Sequence, residues 1–241
     1  SGLDTSNITD MRSVFYNCSS LTSLDLSGLD TSSVVNMSSM FCNCFELTFV
    51  NLSGLDTSGV VNMNSMFGSC SSLKEVDISS FDTTKCSVNP NALPKLFDDC
   101  DSLERIAVGA KCAILFPNPG GKTTGNWINA ASGTVYAPSA IPTKTEAVYE
   151  AQLDISKFAF TCDLSNAVYT GSPIEKDVSS TLEQGRDYTV AYKDNVAAGT
   201  ATIEIIGKGR YANTVEYHYN ILKANPDYPE VEEVTAICGQ K

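Results

Sequence analysis

The chain has 241 residues, 42% of them hydrophobic, with 16 basic and 28 acidic side chains and a formal net charge of −12. Residues 1–140 carry 7 basic and 13 acidic side chains, so the acidity is spread along the chain rather than confined to a tail. There is no basic run that could release counterions from a phosphate backbone or hold an anionic lipid surface, and no apolar run near the ~20 residues of a membrane span, which excludes nucleic acid and membrane insertion in this segment.

The chain opens inside a pattern, as a segment cut from a longer exported protein would. Its first 78 residues divide into three lines of 26: "SGLDTSNITDMRSVFYNCSSLTSLDL", "SGLDTSSVVNMSSMFCNCFELTFVNL" and "SGLDTSGVVNMNSMFGSCSSLKEVDI". Eleven of the 26 columns are identical in all three. A fourth, longer copy spans residues 79–108, its extra residues lying around "NPNALP", where Pro90 and Pro94 suit a loop. A fixed period of this length predicts stacked coils, a solenoid.

Within each coil "LTSLDL", "LTFVNL", "LKEVDI" and "LERIAV" end in an in–out–in alternation, which predicts a short strand. Val34, Met37, Met40 and Phe41 stand three and four residues apart, which predicts one or two helical turns. Between these elements, "LDTS" places Asp30, Thr31 and Ser32 where their side chains can accept orphan amides. The acid column Asp4–Asp30–Asp56–Asp82 is explained by such local caps better than by calcium.

Cys18, Cys44, Cys70 and Cys100 share one column, whereas the column of Cys42 holds Tyr16, Gly68 and Asp98. Side chains in a straight row at the ~4.8 Å coil spacing cannot surround a tetrahedral metal, and they sit too far apart for ordinary disulfides. The column is therefore expected to be reduced and buried, a set of small hydrophobes, and no metal or cofactor is expected.

Residues 109–145, rich in Gly and Pro and carrying Trp127, are expected to cap the last coil, with Trp127 as the plug. "NPGGKTTG" lacks the first glycine and the context of a phosphate loop. From 146 to 224 the pattern is strand alternation: Tyr188, Val190 and Tyr192; Ala201, Ile203 and Ile205; Val215, Tyr217, Tyr219 and Ile221. This predicts a small antiparallel sandwich with His218 outside. Residues 225–241 are expected to form a linker and the start of a further module.

The units "LDTSSVVNMSSMFCNCFELTFVNLS" resemble the BspA-like leucine-rich repeats of bacterial surface proteins. The stretches "YTG", "GRDYTVAYKDN" and "GTATIEIIGKGRY" are similar to immunoglobulin-like repeats of Gram-positive surface proteins. The resemblance implies an α/β leucine-rich-repeat solenoid over 1–108, a short strand plus one or two helical turns per coil, followed by an all-β immunoglobulin-like sandwich. It also implies an extracellular location on a bacterial cell surface, and adhesion or binding of a protein or glycan without catalysis. The alternative is a structural spacer that displays a distal binding domain.

If a site exists on the outward strand face, its residues are expected to be Phe49, Arg105, Asp25, Asn51, Glu75 and Asp77. Phe49 is the one large apolar residue where neighbouring coils place Ser23, Glu75 and Arg105, and aromatic and arginine anchors dominate interfaces. Catalysis is not expected: one outward-facing histidine leaves no nucleophile–base pair.

Overall fold

The computed structural model describes residues 4–86 and 95–224. The expected loop with Pro90 and Pro94 and the expected linker 225–241 lie outside the described residues. The chain forms two units, Ser1–Asp154 and Ile155–Lys241, so β7 (Ala147–Asp154) belongs to the first.

The first unit stacks the four repeat copies, coils 1 to 4. Each contributes a strand: β1 (Ser23–Asp25), β2 (Phe49–Asn51), β3 (Glu75–Ile78) and β4 (Arg105–Val108). β1 and β2 run parallel with Ser23 opposite Phe49, and β3 and β4 run parallel with Glu75 opposite Arg105. β4 is then covered by antiparallel β7, and β5 (Thr123–Asn129) and β6 (Val135–Tyr136) continue the sheet in the order β3-β4-β7-β5-β6.

The helical turns expected in each coil are absent, and the α/β description is corrected: among the described residues there is no α-helix, and the unit is built of short strands and tight turns. The reason lies in the backbone. Ser39 and Asn43, Ser65 and Ser69, and Ser13 and Asn17 all have φ between 53° and 65°, so a left-handed residue recurs every fourth position and stops any helix. Alternate amides then reach the next coil instead of the preceding turn. Met37, Ser39, Phe41 and Asn43 N–H groups donate to Asn62, Asn64, Met66 and Gly68 carbonyls at 2.7–2.9 Å. Successive turns give the same apolar spacing of three and four that a helix would.

The apolar columns fill the space between strands and turns. Phe15, Phe41, Phe67 and Phe97 stack with centroids 5.2–5.4 Å apart and rings within 12° of parallel. Met37, Met40, Met63 and Met66 are fully buried beside them. Trp127, on β5, is fully buried, donates Nε1–H to the Pro117 carbonyl at 3.0 Å, and meets Phe116 edge-on.

The second unit comprises β8 (Phe160–Cys162), β9 (Ala167–Val168), β10 (Val178–Ser180), β11 (Tyr188–Lys193), β12 (Gly199–Gly207), β13 (Tyr211–Ala212) and β14 (Thr214–Leu222). One sheet has the order β11-β12-β14-β9, and β10 pairs with β8 in another. Tyr188, Ala201, Ile203, Ile205, Tyr219 and Ile221 are buried between them, on the faces expected from the alternation. β9 runs parallel to β14, a departure from an all-antiparallel arrangement.

Candidate functional site

The strand ladder of the first unit is interrupted once. β1–β2 and β3–β4 are paired, but among the described residues no ladder bond joins β2 to β3. At the first junction, Thr48 and Phe49 N–H donate to the Thr22 carbonyl at 2.9 and 3.4 Å, and Leu26 N–H donates to Asn51. At the third junction, Glu104 and Arg105 N–H donate to the Lys74 carbonyl at 2.7 and 3.1 Å. The middle junction has no counterparts, although its turn side is fully bonded. Coils 2 and 3 are thus hinged along their turns and splayed at their strands.

The corners that follow the strands differ in sequence at the gap. A Cβ on Gly54 would collide with the Ser27 carbonyl oxygen, and one on Gly109 with that of Ser79. Each junction flanking the gap therefore closes over a glycine, at neighbouring columns: Gly54 aligns with Ser80, and Gly109 with Ser79. At the corner after β3, which opens coil 4, the residue in the Gly54 column is Ser80, whose Cβ opposes the approach that Gly54 makes.

The splay leaves a cleft of about 310 Å³ lined by Phe49, Val50, Asn51, Leu52, Ser53, Asp77, Ser79 and Ser80. Phe49 stands at its mouth, 56% exposed. Asn51 Oδ1 accepts from Ser53 N–H and Oγ–H, while its Nδ2 donates to Asp25 Oδ1 at 2.9 Å. Asp77 Oδ1 accepts from Ser79 N–H at 2.9 Å. The backbone and hydroxyl of Ser27 hold the Asp25 carboxyl below the usual carboxylate range, so it is ionised at neutral pH.

Of the six residues expected to form a site, Phe49, Asn51 and Asp77 line the cleft, and Asp25 reaches it through Asn51. Glu75 and Arg105 do not line it. They face each other across β3 and β4 at 3.8 Å, both exposed, so Phe49 and Arg105 do not form one anchor pair. Sequence reading missed Ser53, Ser79, Ser80 and the backbone of Val50 and Leu52; the readable signal was Ser80 in a column that holds Gly2, Gly28 and Gly54.

A second cleft, of about 350 Å³, includes Lys95, Phe97, Leu115 and Phe116; it adjoins residue 94, outside the described residues. Among the described residues no three His, Cys, Asp or Glu side chains are grouped to hold a metal. His218 is exposed on β14, and its Nδ1 lies 3.0 Å from Thr202 Oγ1. The cleft offers amides, carbonyls, hydroxyls, a carboxylate and one aromatic ring, which is the chemistry of holding a ligand.

Three buried cysteines of the repeat column have a polar role as well as an apolar one. Cys44, Cys70 and Cys100 donate S–H to the carbonyls of Phe15, Phe41 and Phe67 in the preceding coil, at 3.2, 3.2 and 2.9 Å. Burial pushes the Cys70 thiol well up and the Cys100 thiol to about 12. Cys18, expected to be buried, is exposed, because coil 1 is covered from one side only among the described residues.

Residues 1–105 match the family model described as "Mycoplasma protein of unknown function, DUF285". The likeness is thus to a bacterial family, and it covers the stacked coils up to β4. No curated protein and no solved structure matches the chain. Among the described residues no helix is long and apolar enough to cross a membrane.

Proposed function

We propose that this chain is a non-catalytic binding module of a bacterial surface protein, and that it engages an extracellular protein or glycan at the cleft between β2 and β3. The observation that carries this reading is the split ladder, which converts an otherwise continuous sheet into a recess with an aromatic rim. Four coils at ~4.8 Å offer a strand face only about 20 Å wide. A flat patch of that size is small for a stable interface, whereas a recess concentrates contact where water is excluded. The bacterial repeat family matched by the coils supports the setting, and the repeats' similarity to surface proteins supports an extracellular location.

The test is binding of the full chain to a panel of matrix proteins, mucins and glycans, beside two variants with folding checked. Phe49→Ser with Asp77→Ala should reduce binding at least tenfold, and Arg105→Ser, outside the cleft, should leave it within twofold. Binding lost in Arg105→Ser and kept in the cleft variant would move the site elsewhere. No binding to any member would defeat the reading and leave the display of other modules as the role of the coils.

A further inference from the structure

Resting on that reading, we propose that the ligand of the β2–β3 cleft is an extended polypeptide segment, which adds as a strand to the backbone edge that the split exposes. By comparison with the flanking junctions, the groups left without ladder partners are the amides of Lys74, Glu75 and Leu52 and the carbonyls of Thr48 and Asp77. They are not scattered. The gap begins after the Ser72 N–H bond to the Phe45 carbonyl at 3.1 Å and ends before the Asp82 N–H bond to Thr57 Oγ1 at 2.7 Å. Between those two fastenings lies one strand and its corner on each side.

Donors and acceptors along such an edge alternate with the two-residue repeat of a strand, about 6.6 Å. An extended peptide presents the complementary groups at that same repeat, whatever its side chains; a sugar presents hydroxyls without it. Backbone pairing then supplies affinity, and alternate side chains supply choice. Here one face of an added segment would meet Phe49 at the rim. The Asp77 carboxylate in the lining and the ionised Asp25 beyond Asn51 favour a Lys or Arg in that segment. An added strand requires β2 and β3 to part further between the two fastenings, where no ladder bond opposes it.

The deciding experiment uses the full chain, immobilised and panned with a phage-displayed library of random dodecapeptides, with counter-selection on Ser80→Gly. Replacing Ser80 restores the glycine that permits close approach and is expected to zip the ladder; slowed exchange of the Lys74 and Glu75 amides would verify that closure. Expected is enrichment of peptides whose synthetic forms bind the native chain at least tenfold more tightly than Ser80→Gly or Phe49→Ser. N-methylation of alternate backbone amides, which leaves every side chain in place, should abolish at least tenfold of that affinity.

Peptides indifferent to N-methylation, or none enriched over the variants, would overturn strand addition. A glycan bound by the native chain and lost in Ser80→Gly would overturn it too, while leaving the cleft as the site. Failure of every probe would remove both.

Discussion

Thr31 and Thr57 each make a two-way bond to the coil that follows. Thr57 Oγ1–H donates to the Asp82 carbonyl at 3.3 Å and accepts the Asp82 N–H at 2.7 Å, and Thr31 does the same for Asp56. Both threonines are about 2% exposed, so water cannot replace the hydroxyl. Thr57→Val keeps the shape and strands a buried amide and carbonyl, which should cost about 2–3 kcal/mol; Thr57→Ser should cost less than half of that. Urea unfolding of both variants measures the difference. The thiols give a second prediction at this scale. With an ellmanate reagent at pH 8, exposed Cys18 should react rapidly and half-buried Cys42 and Cys162 slowly, while Cys44, Cys70, Cys86, Cys100 and Cys112 wait for unfolding. Cys100 and Cys112 are both raised to about 12 by burial, above an unfolded thiol near 9. The folded state therefore holds protons that the unfolded state releases, so stability falls as pH rises from about 9 to about 12. The slope is up to about 1.4 kcal/mol per pH unit for each thiol. An unfolding midpoint that did not decline over that window would contradict the burial of these two residues.

Strands and turns differ in how far they can be read from residues alone. The strands were legible because Leu24, Val50, Val76 and Ile106 alternate with polar neighbours, and alternation has one structural meaning. The turns were not: Val34, Met37, Met40 and Phe41 carry a helical spacing, and the left-handed Ser39 and Asn43 that create it are unremarkable in composition. The outward residues Phe49, Asn51 and Asp77 were legible as strand positions. Their shared cleft was not, since it depends on how closely two coils approach, and the serine that replaces glycine at Ser80 acquires meaning only once the close contact of Gly54 is known. This makes Ser80→Gly the element-scale test. Closing the ladder adds several backbone bonds at about 0.5–1.5 kcal/mol each, against about 0.5–1 kcal/mol for the added glycine freedom. The variant should be more stable than the native chain by about 1 kcal/mol, with slowed exchange at Lys74 and Glu75. A less stable protein with unchanged exchange would show that something other than the corner residue holds the strands apart.

Two cores, not one, hold the molecule. The first gathers Met11 through Ala151 around the phenylalanine stack and Trp127, and the second gathers Ile155 through Ile221 around Ile203 and Tyr219. The two clusters have no buried residue in common, so the effect of a substitution deep in one is expected to stay largely within that core. The chain supplies its own probe for this: its single tryptophan, Trp127, is fully buried in the first core, whereas tyrosines dominate the second. Phe67→Ala removes one ring from the middle of the stack and should destabilise the first core by about 3–5 kcal/mol. In a urea titration its Trp127 emission transition should move to lower concentration, while protection of the Ile203 and Ile205 amides is lost at the same concentration as in the native chain. If the two losses moved together, the units would unfold as one cooperative body, and a ligand held at the β2–β3 cleft would stabilise both. If they part, as the separate cores predict, binding at that cleft raises the Trp127 transition alone.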